Sequence, residues 1–218
     1  MGARRRRSSY GAWGSLLAAI VAAVAWWTQQ SGSGEPATPD GDAPVDGAHA
    51  LQRLATLPVR QEDTGNAYDR DDWPHWSSHG DGCNTREIAL RQQGENVRTD
   101  AECRAVSGTW LSDYDGVPLH DASEADLDHL VPLAEAARSG SRGWSEARRE
   151  RFANDLRQLV VVTARSNRQK GDQDPASWLP ERDRCTYAAR WVEVKASYGL
   201  SVDPDEHAAL TAVLSRCR

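Results

Sequence analysis

The fold is decided by a short segment that combines acidic and imidazole side chains with branched apolar ones. Residues 126–133 read DLDHLVPL, and residues 159–163 read LVVVT, the most strand-like run in the chain. We predict two strands that bracket an insert, since short apolar runs rich in β-branched residues favour buried strands. A short helix should follow Thr163 and end at Gly171, because glycine commonly closes a helix.

Asp128, His129 and Asn167 are the residues of this unit best suited to chemistry. Hydrolysis of a phosphodiester needs a water molecule activated near neutral pH and a cation that neutralises the developing charge. Adjacent Asp and His side chains divide these tasks. Neighbouring strand residues point to opposite faces, so Asp128 and His129 share one site only at a strand end or bend. Pro132, three residues later, predicts such an end.

Several motifs in the same order resemble the HNH endonucleases, and within them the GmrSD-type restriction endonuclease C-terminal domain in its secreted, actinobacterial-like form. The resemblance covers about residues 68–218. It is carried by DLDHLVPL at 126–133, FAND at 152–155, SNRQKGD at 166–172 and DPASWLP at 174–180. The family implies an α+β fold with a ββα-metal core (HNH, His-Me finger) at about residues 124–172, additional helices, and an endonuclease activity.

The resemblance also implies roles for individual residues. His129 would be the general base, and Asp128 and Asn167 would hold one divalent cation. Oxygen ligands of this kind suit Mg²⁺, or Mn²⁺ as the alternative, better than zinc. The second strand of the family supplies an amide that braces the loop; spacing puts Gln158 at this position, and Asn154 is the alternative.

The charge balance is acidic overall and basic locally. The chain carries 26 Lys and Arg against 32 Asp and Glu, for a net charge of -6, so its global field does not attract a phosphate backbone. Residues 138–170 instead hold nine basic and three acidic side chains. This segment predicts DNA binding without base specificity, with RNA as a further possible substrate. The predicted phosphate contacts are Arg86, Arg151, Arg165, Arg168 and Lys170.

An alternative explanation for the basic segment is a solvated helix face. In that case its arginines pair with Glu146 and Glu150 at helical spacing and contact no substrate.

The amino terminus predicts export. Arginines occupy positions 4–7, an apolar run spans residues 11–27, and no acid precedes Glu35. We predict a signal peptide over 1–25, a flexible linker over 26–50 and one nuclease domain over 51–218, secreted as a monomer. The apolar run is just long enough for a membrane anchor, so an uncleaved, anchored form is the alternative.

The four cysteines, Cys83, Cys103, Cys185 and Cys217, predict two disulfides, since an exported chain retains them. Metal ligation is the competing interpretation, but no C-x-x-C pair is present. Spacing leaves three connectivities open, and we favour pairing between sequence neighbours.

Further elements follow from caps and turns. The sequence predicts a short helix around Leu51, a helix over 84–93, a hairpin with its turn at 115–116, a helix near Ser145 and two C-terminal helices.

Most tryptophans should fill the core. His75, His79 and His120 have no spacing that marks them as ligands.

Two other functions fit the residues less specifically. Asp128 and His129 with His120 would suit a zinc-dependent hydrolase of an envelope polymer, given a third ligand of zinc type. A binding module that keeps the scaffold and has lost catalysis, through a change such as Gln158, is the non-enzymatic alternative.

Overall fold

The computed structural model describes residues 45–217, so the predicted signal peptide and residues 26–44 of the predicted linker lie outside the described part. The helices are α1 (Gly47–Leu54), α2 (Thr85–Gln93), α3 (Leu133–Arg138), α4 (Glu146–Ala153), α5 (Ala164–Lys170), α6 (Arg184–Tyr198) and α7 (Pro204–Leu214), with a 3₁₀ turn at Arg70–Asp72. The strands are β1 (Ser78–Gly80), β2 (Cys83–Asn84), β3 (Glu95–Thr99), β4 (Ala105–Leu111), β5 (Pro118–Leu119), β6 (Ala125–His129) and β7 (Leu159–Thr163). No helix within residues 45–217 has the length and apolarity to cross a bilayer.

The strands β6 and β7 form the central antiparallel pair predicted from the sequence. Asp126 lies opposite Val162, and His129, the last residue of β6, lies opposite Leu159. Successive residues of β7 enter different hydrophobic cores: Val160 and Val162 pack with the C-terminal helices, whereas Leu159 and Val161 pack against α2 and β4. Burial on both faces explains why β7 is an unbroken apolar run rather than an alternating one.

The helix α5 follows β7 directly and packs on both strands of the pair. Its amino terminus is capped by Thr163, whose side chain accepts a hydrogen bond from the Ser166 amide. Its carboxyl end is closed by Gly171, which has a φ of 56°. The predicted strand–strand–helix order and both helix boundaries are therefore confirmed.

The C-terminal helices form a layer with α1. A capping box at Asp203 and Glu206 starts α7, and the left-handed Gly199 ends α6. The Cys185–Cys217 disulfide joins the two helices across a sequence separation of 32 residues. A loop of that size predicts about 3 to 4 kcal/mol of stabilisation by chain entropy.

The folded chain begins earlier than predicted, since α1 starts at Gly47.

The amino-terminal part of the domain carries two small sheets. The strands β1 and β2 pair, and β3, β4 and β5 form a second sheet. The Cys83–Cys103 disulfide links β2, directly before α2, to the turn between β3 and β4. Both disulfides join sequence neighbours, which confirms the predicted connectivity. Sequence patterns did not predict the mostly exposed β3 or the short helix α3.

Both lysines of the chain, Lys170 and Lys195, are fully buried. The Lys195 ammonium donates to Glu135 Oε1 at 2.7 Å, to Glu206 Oε2 at 2.7 Å and to the Ser201 carbonyl at 2.9 Å. These bonds join α3, α6 and α7 inside the larger core. Two buried carboxylates therefore share one ammonium.

The tryptophans fill the centre as predicted, because the chain has a single phenylalanine. Of the six tryptophans within residues 45–217, four are buried, namely Trp73, Trp110, Trp144 and Trp191.

Candidate active site

A cleft of about 240 Å³ opens where β6 ends, next to the carboxyl end of α5. Its lining includes the three predicted chemical residues, Asp128, His129 and Asn167. The fold brings them together because His129 ends its strand next to Asp128, and α5 lays Asn167 over the same end of the hairpin. Tyr68, Arg70 and Asp172 also line the cleft.

The hydrogen bond made by His129 defines its tautomer. The Nε2 atom lies 2.8 Å from the carbonyl oxygen of Ala153, which can only accept a hydrogen bond. Nε2 therefore carries the proton, and Nδ1 has the free lone pair. Burial lowers the pKa of His129 to about 4, so the ring is neutral at physiological pH. A neutral imidazole with an available lone pair meets the first requirement of a general base.

The ring of His129 is also held by an aromatic neighbour. Trp76 stacks on it with centroids 5.7 Å apart and planes 18° from parallel. The backbone of Trp76 has a φ of 59°, which is uncommon for a bulky residue. Sequence patterns predict only a packing role for Trp76, because no motif distinguishes it from the other tryptophans.

Asn154 braces the segment that carries Trp76. Its Oδ1 accepts from the Ser77 amide at 2.8 Å and from Thr85 Oγ1 at 2.7 Å, and its Nδ2 donates to the carbonyls of Pro74 and Glu150. All four hydrogen-bonding positions of the amide are thus satisfied. The side chain ties the end of α4 to the loop that covers His129.

Gln158 occupies a different position. Its side chain is fully buried and donates to the Phe152 carbonyl within the connection between α4 and β7, while its Oε1 has no partner among the described residues. Its backbone carbonyl accepts from the Leu130 amide at 2.7 Å, directly after His129. Gln158 therefore supports the β6–β7 pair through its backbone carbonyl. Asn154 supports the loop that covers His129 through its side-chain amide.

Asp128 is held by one of its two carboxylate oxygens. Oδ2 accepts from the Tyr114 hydroxyl at 2.7 Å and from Lys170 Nζ at 2.7 Å. Lys170 donates in addition to the His129 carbonyl at 2.9 Å. No described residue hydrogen-bonds Oδ1, which leaves that oxygen available to a ligand.

Asn167 is oriented by Asp126, which lies two residues before Asp128 on the same face of β6. The Asn167 Nδ2 donates to Asp126 Oδ2 at 2.9 Å. Because the amide nitrogen is engaged, its oxygen is the atom left for the cleft. One carboxylate oxygen and one amide oxygen without partners in the described chain make a donor set that fits a hard divalent cation.

Most arginines of the basic segment form internal ion pairs and hydrogen bonds. The pairs are Arg142 with Asp63, Arg157 with Asp155, and Arg138 with Glu62, Glu135 and Asp172. Two further arginines donate to backbone carbonyls, Arg148 to Tyr198 and Arg149 to Asp72 and Trp144. Most of the positive charge of this segment is therefore paired with carboxylates or backbone carbonyls of the same domain.

The five predicted phosphate contacts divide into two groups. Lys170 is fully buried on Asp128, and Arg86 binds Glu87 and two backbone carbonyls, so neither offers a free charge to a phosphate. Arg151, Arg165 and Arg168 are exposed, and of these Arg165 reaches Glu181 at 3.3 Å.

His75, His79 and His120 are not among the described residues that line the cleft. His79 contacts Thr85 Oγ1, and His75 contacts Arg70 Nη2. His120 is exposed and does not line the cleft. Within residues 45–217, one group of three carboxylates lies close enough to share a metal ion, Glu62, Asp174 and Asp203, and it contains no histidine.

Comparison with known proteins agrees with the motifs. The family model described as GmrSD restriction endonucleases, C-terminal domain, matches residues 85–213. A protein of Arthroderma benhamiae named "Uncharacterized secreted protein" is 46% identical over 172 residues, which cover 77% of this chain and 84% of that protein. No solved structure matches the chain. The family model spans β6, β7 and α5 and covers more than half of the chain, so the chain belongs to the family of GmrSD restriction endonuclease C-terminal domains.

Proposed function

We propose that the protein is a secreted HNH-type endonuclease that hydrolyses phosphodiester bonds of DNA and can also accept RNA. The reaction uses a divalent cation, Mg²⁺ or alternatively Mn²⁺. The observation that carries the proposal is the cleft in which Asp128, His129 and Asn167 meet. A neutral imidazole beside two free oxygen ligands is the arrangement that metal-assisted hydrolysis requires. Family membership and the ββα order of β6, β7 and α5 support this assignment.

His129 would take the proton from the attacking water. Nε2 donates to the Ala153 carbonyl, so the proton is accepted at Nδ1, and the same carbonyl then stabilises the charged ring. Trp76 limits rotation of the imidazole, and Asn154 keeps Trp76 in place. Asn154 thus fulfils the bracing role that the family gives to its middle amide.

Asp128 and Asn167 would hold the cation through one oxygen each. When bound, the cation supplies a positive charge that stabilises the phosphate and the leaving oxygen. The secreted relative and the two disulfides support an extracellular location. We further propose a monomer that binds nucleic acid without reading bases, with Arg151, Arg165 and Arg168 as peripheral phosphate contacts.

The proposal is tested with oxidised protein, supercoiled plasmid and a defined metal. Nicking is expected with Mg²⁺ or Mn²⁺ and is expected to stop in EDTA. Metal analysis of the purified protein distinguishes the zinc hydrolase, which would retain stoichiometric zinc. Nicking that persists in EDTA would refute the metal-dependent mechanism, and salt-sensitive DNA retention without nicking in any divalent metal would favour a binding module.

Arg70 should contribute to substrate binding because, among the described residues that line the cleft, it is the only cationic side chain. It is exposed, and its guanidinium contacts His75 Nε2 at 3.2 Å rather than a described carboxylate. The change Arg70→Ala is expected to lower kcat/KM for plasmid nicking about tenfold, the loss of one charge-assisted contact.

Arg98→Ala is the matched control, because Arg98 is equally exposed but lies on β3, outside the cleft. It should leave kcat/KM within about twofold of the parent, as most surface changes do. Equal effects of the two changes would mean that Arg70 acts only through net charge.

A further inference from the structure

Two buried donors converge on a single oxygen of Asp128. Tyr114 lies in the turn between β4 and β5, and Lys170 is the last residue of α5. Their side chains are 1% and 0% exposed, and each donates to Oδ2 at 2.7 Å. Buried polar groups are costly unless they are paired, so this arrangement fixes three side chains at once.

The donors are also held relative to each other. Lys170 Nζ lies 5.8 Å from the centroid of the Tyr114 ring and is anchored to the His129 carbonyl. The Tyr114 ring packs edge-on against Trp178 and Tyr187. If the Asp128 carboxylate rotated, neither donor could move with it and keep its hydrogen bond. The carboxylate therefore has one orientation, in which Oδ2 accepts both hydrogen bonds and Oδ1 accepts none from the described residues.

We propose that Tyr114 and Lys170 are positioning residues that present Oδ1 of Asp128 to a divalent cation as a single, pre-oriented ligand. The inference rests on the proposed function, since it assumes that Asp128 is a cation ligand. Groups that orient a ligand in this way typically contribute 10- to 100-fold to metal affinity or activity. The two residues make no contact with substrate; they act through Asp128.

The test measures Mn²⁺ affinity directly, by titration calorimetry on the oxidised protein with MnCl₂, alongside plasmid nicking. Tyr114→Phe removes one hydroxyl and leaves the ring. We expect it to raise the Kd for Mn²⁺ about tenfold and to lower kcat, with little change in KM for plasmid.

Tyr187→Phe is a closely matched control. Tyr187 is 4% exposed, its ring centroid lies 5.8 Å from that of Tyr114, and its hydroxyl has no partner among the described residues. Removal of an unpaired buried hydroxyl should leave Mn²⁺ affinity and nicking unchanged and keep or raise the unfolding midpoint.

Lys170→Met separates positioning from simple charge. If Lys170 only repelled the cation, its removal would tighten Mn²⁺ binding; a positioning role predicts weaker binding, because Asp128 loses its anchor. Circular dichroism establishes that the variant is folded, and if it is not, Tyr114→Phe decides alone.

The two possible failures are distinguishable. A parent protein that neither binds Mn²⁺ nor nicks plasmid would overturn both the proposed function and this inference. A parent that does both, with Tyr114→Phe and the Tyr187→Phe control indistinguishable from it in Mn²⁺ affinity and kcat, would overturn the inference and leave the proposed function intact.

Discussion

Replacement of His129 by alanine is expected to lower the rate of Mg²⁺-dependent plasmid nicking by about 10²- to 10⁴-fold, the usual contribution of a general base. The imidazole is neutral and lines the cleft with Asp128 and Asn167, and its Nδ1 is the atom with a free lone pair. The effect should fall on kcat, because in the proposed mechanism the ring acts on the attacking water rather than on the binding of the nucleic acid.

His120→Ala is the control for this prediction. His120 is exposed, lies on the same connection before β6, and is the histidine that the zinc-hydrolase alternative needs. It should retain full nicking. Since His129 stacks on Trp76 in the interior, circular dichroism and urea unfolding must show that His129→Ala is folded. A folded His129→Ala protein with nicking close to the parent would remove His129 from the mechanism.

Replacement of Lys195 by methionine is expected to lower the free energy of unfolding by about 3 to 5 kcal/mol, the cost of removing one partner from a buried ion pair. The methionine fills most of the space but leaves Glu135 and Glu206 facing each other without the ammonium. Burial already raises the pKa of Glu206 to about 7 with the lysine in place. The midpoint and slope of urea unfolding measure the change.

Arg53→Met provides the comparison, because Arg53 makes an ion pair with Glu193 at the surface, with side chains 40% and 53% exposed. Exposed pairs contribute at most about 1 kcal/mol. A loss for Lys195→Met no larger than that for Arg53→Met would show that the buried cluster contributes little to stability.

Elements with a local chemical signature were predictable from the sequence. The LVVVT run of β7, the Thr163 and Gly171 boundaries of α5 and the Asp203 cap of α7 follow from propensities within a few residues, and the structure agrees. β3 was not predictable, because its five residues, ENVRT, include two charges and are mostly exposed. Its strand conformation depends on pairing with β4, the next strand along the chain, and not on the propensities of its own residues.

The site was predictable to the extent that its motif is contiguous. Asp128 and His129 are adjacent, and Asn167 follows in a recognisable helix. The residues that orient them are not marked in this way: Tyr114 lies in an ordinary turn, and Trp76 is one of nine tryptophans. Such contacts arise only when separate elements meet, so no local pattern identifies them.

The phosphate-binding surface predicted from the basic segment is smaller in the structure for the same reason. A run of arginines and a lysine between residues 138 and 170 resembles a phosphate-binding surface until the acids that fold against it are known. Asp63 and Glu62 lie more than 70 positions before Arg142 and Arg138, yet they neutralise them. The exposed Arg70, which lies outside that run, has the clearer access to the cleft.

The burial of both lysines has a practical consequence for work with this protein. Acylating reagents such as N-hydroxysuccinimide esters, and the cross-linkers and dyes built on them, should find no side-chain amine in the native molecule. Acyl groups on Lys170 or Lys195, counted by peptide mass spectrometry, would therefore report the fraction of molecules that have opened. Attachment to a surface through lysine would select denatured protein, so coupling chemistry should be directed elsewhere.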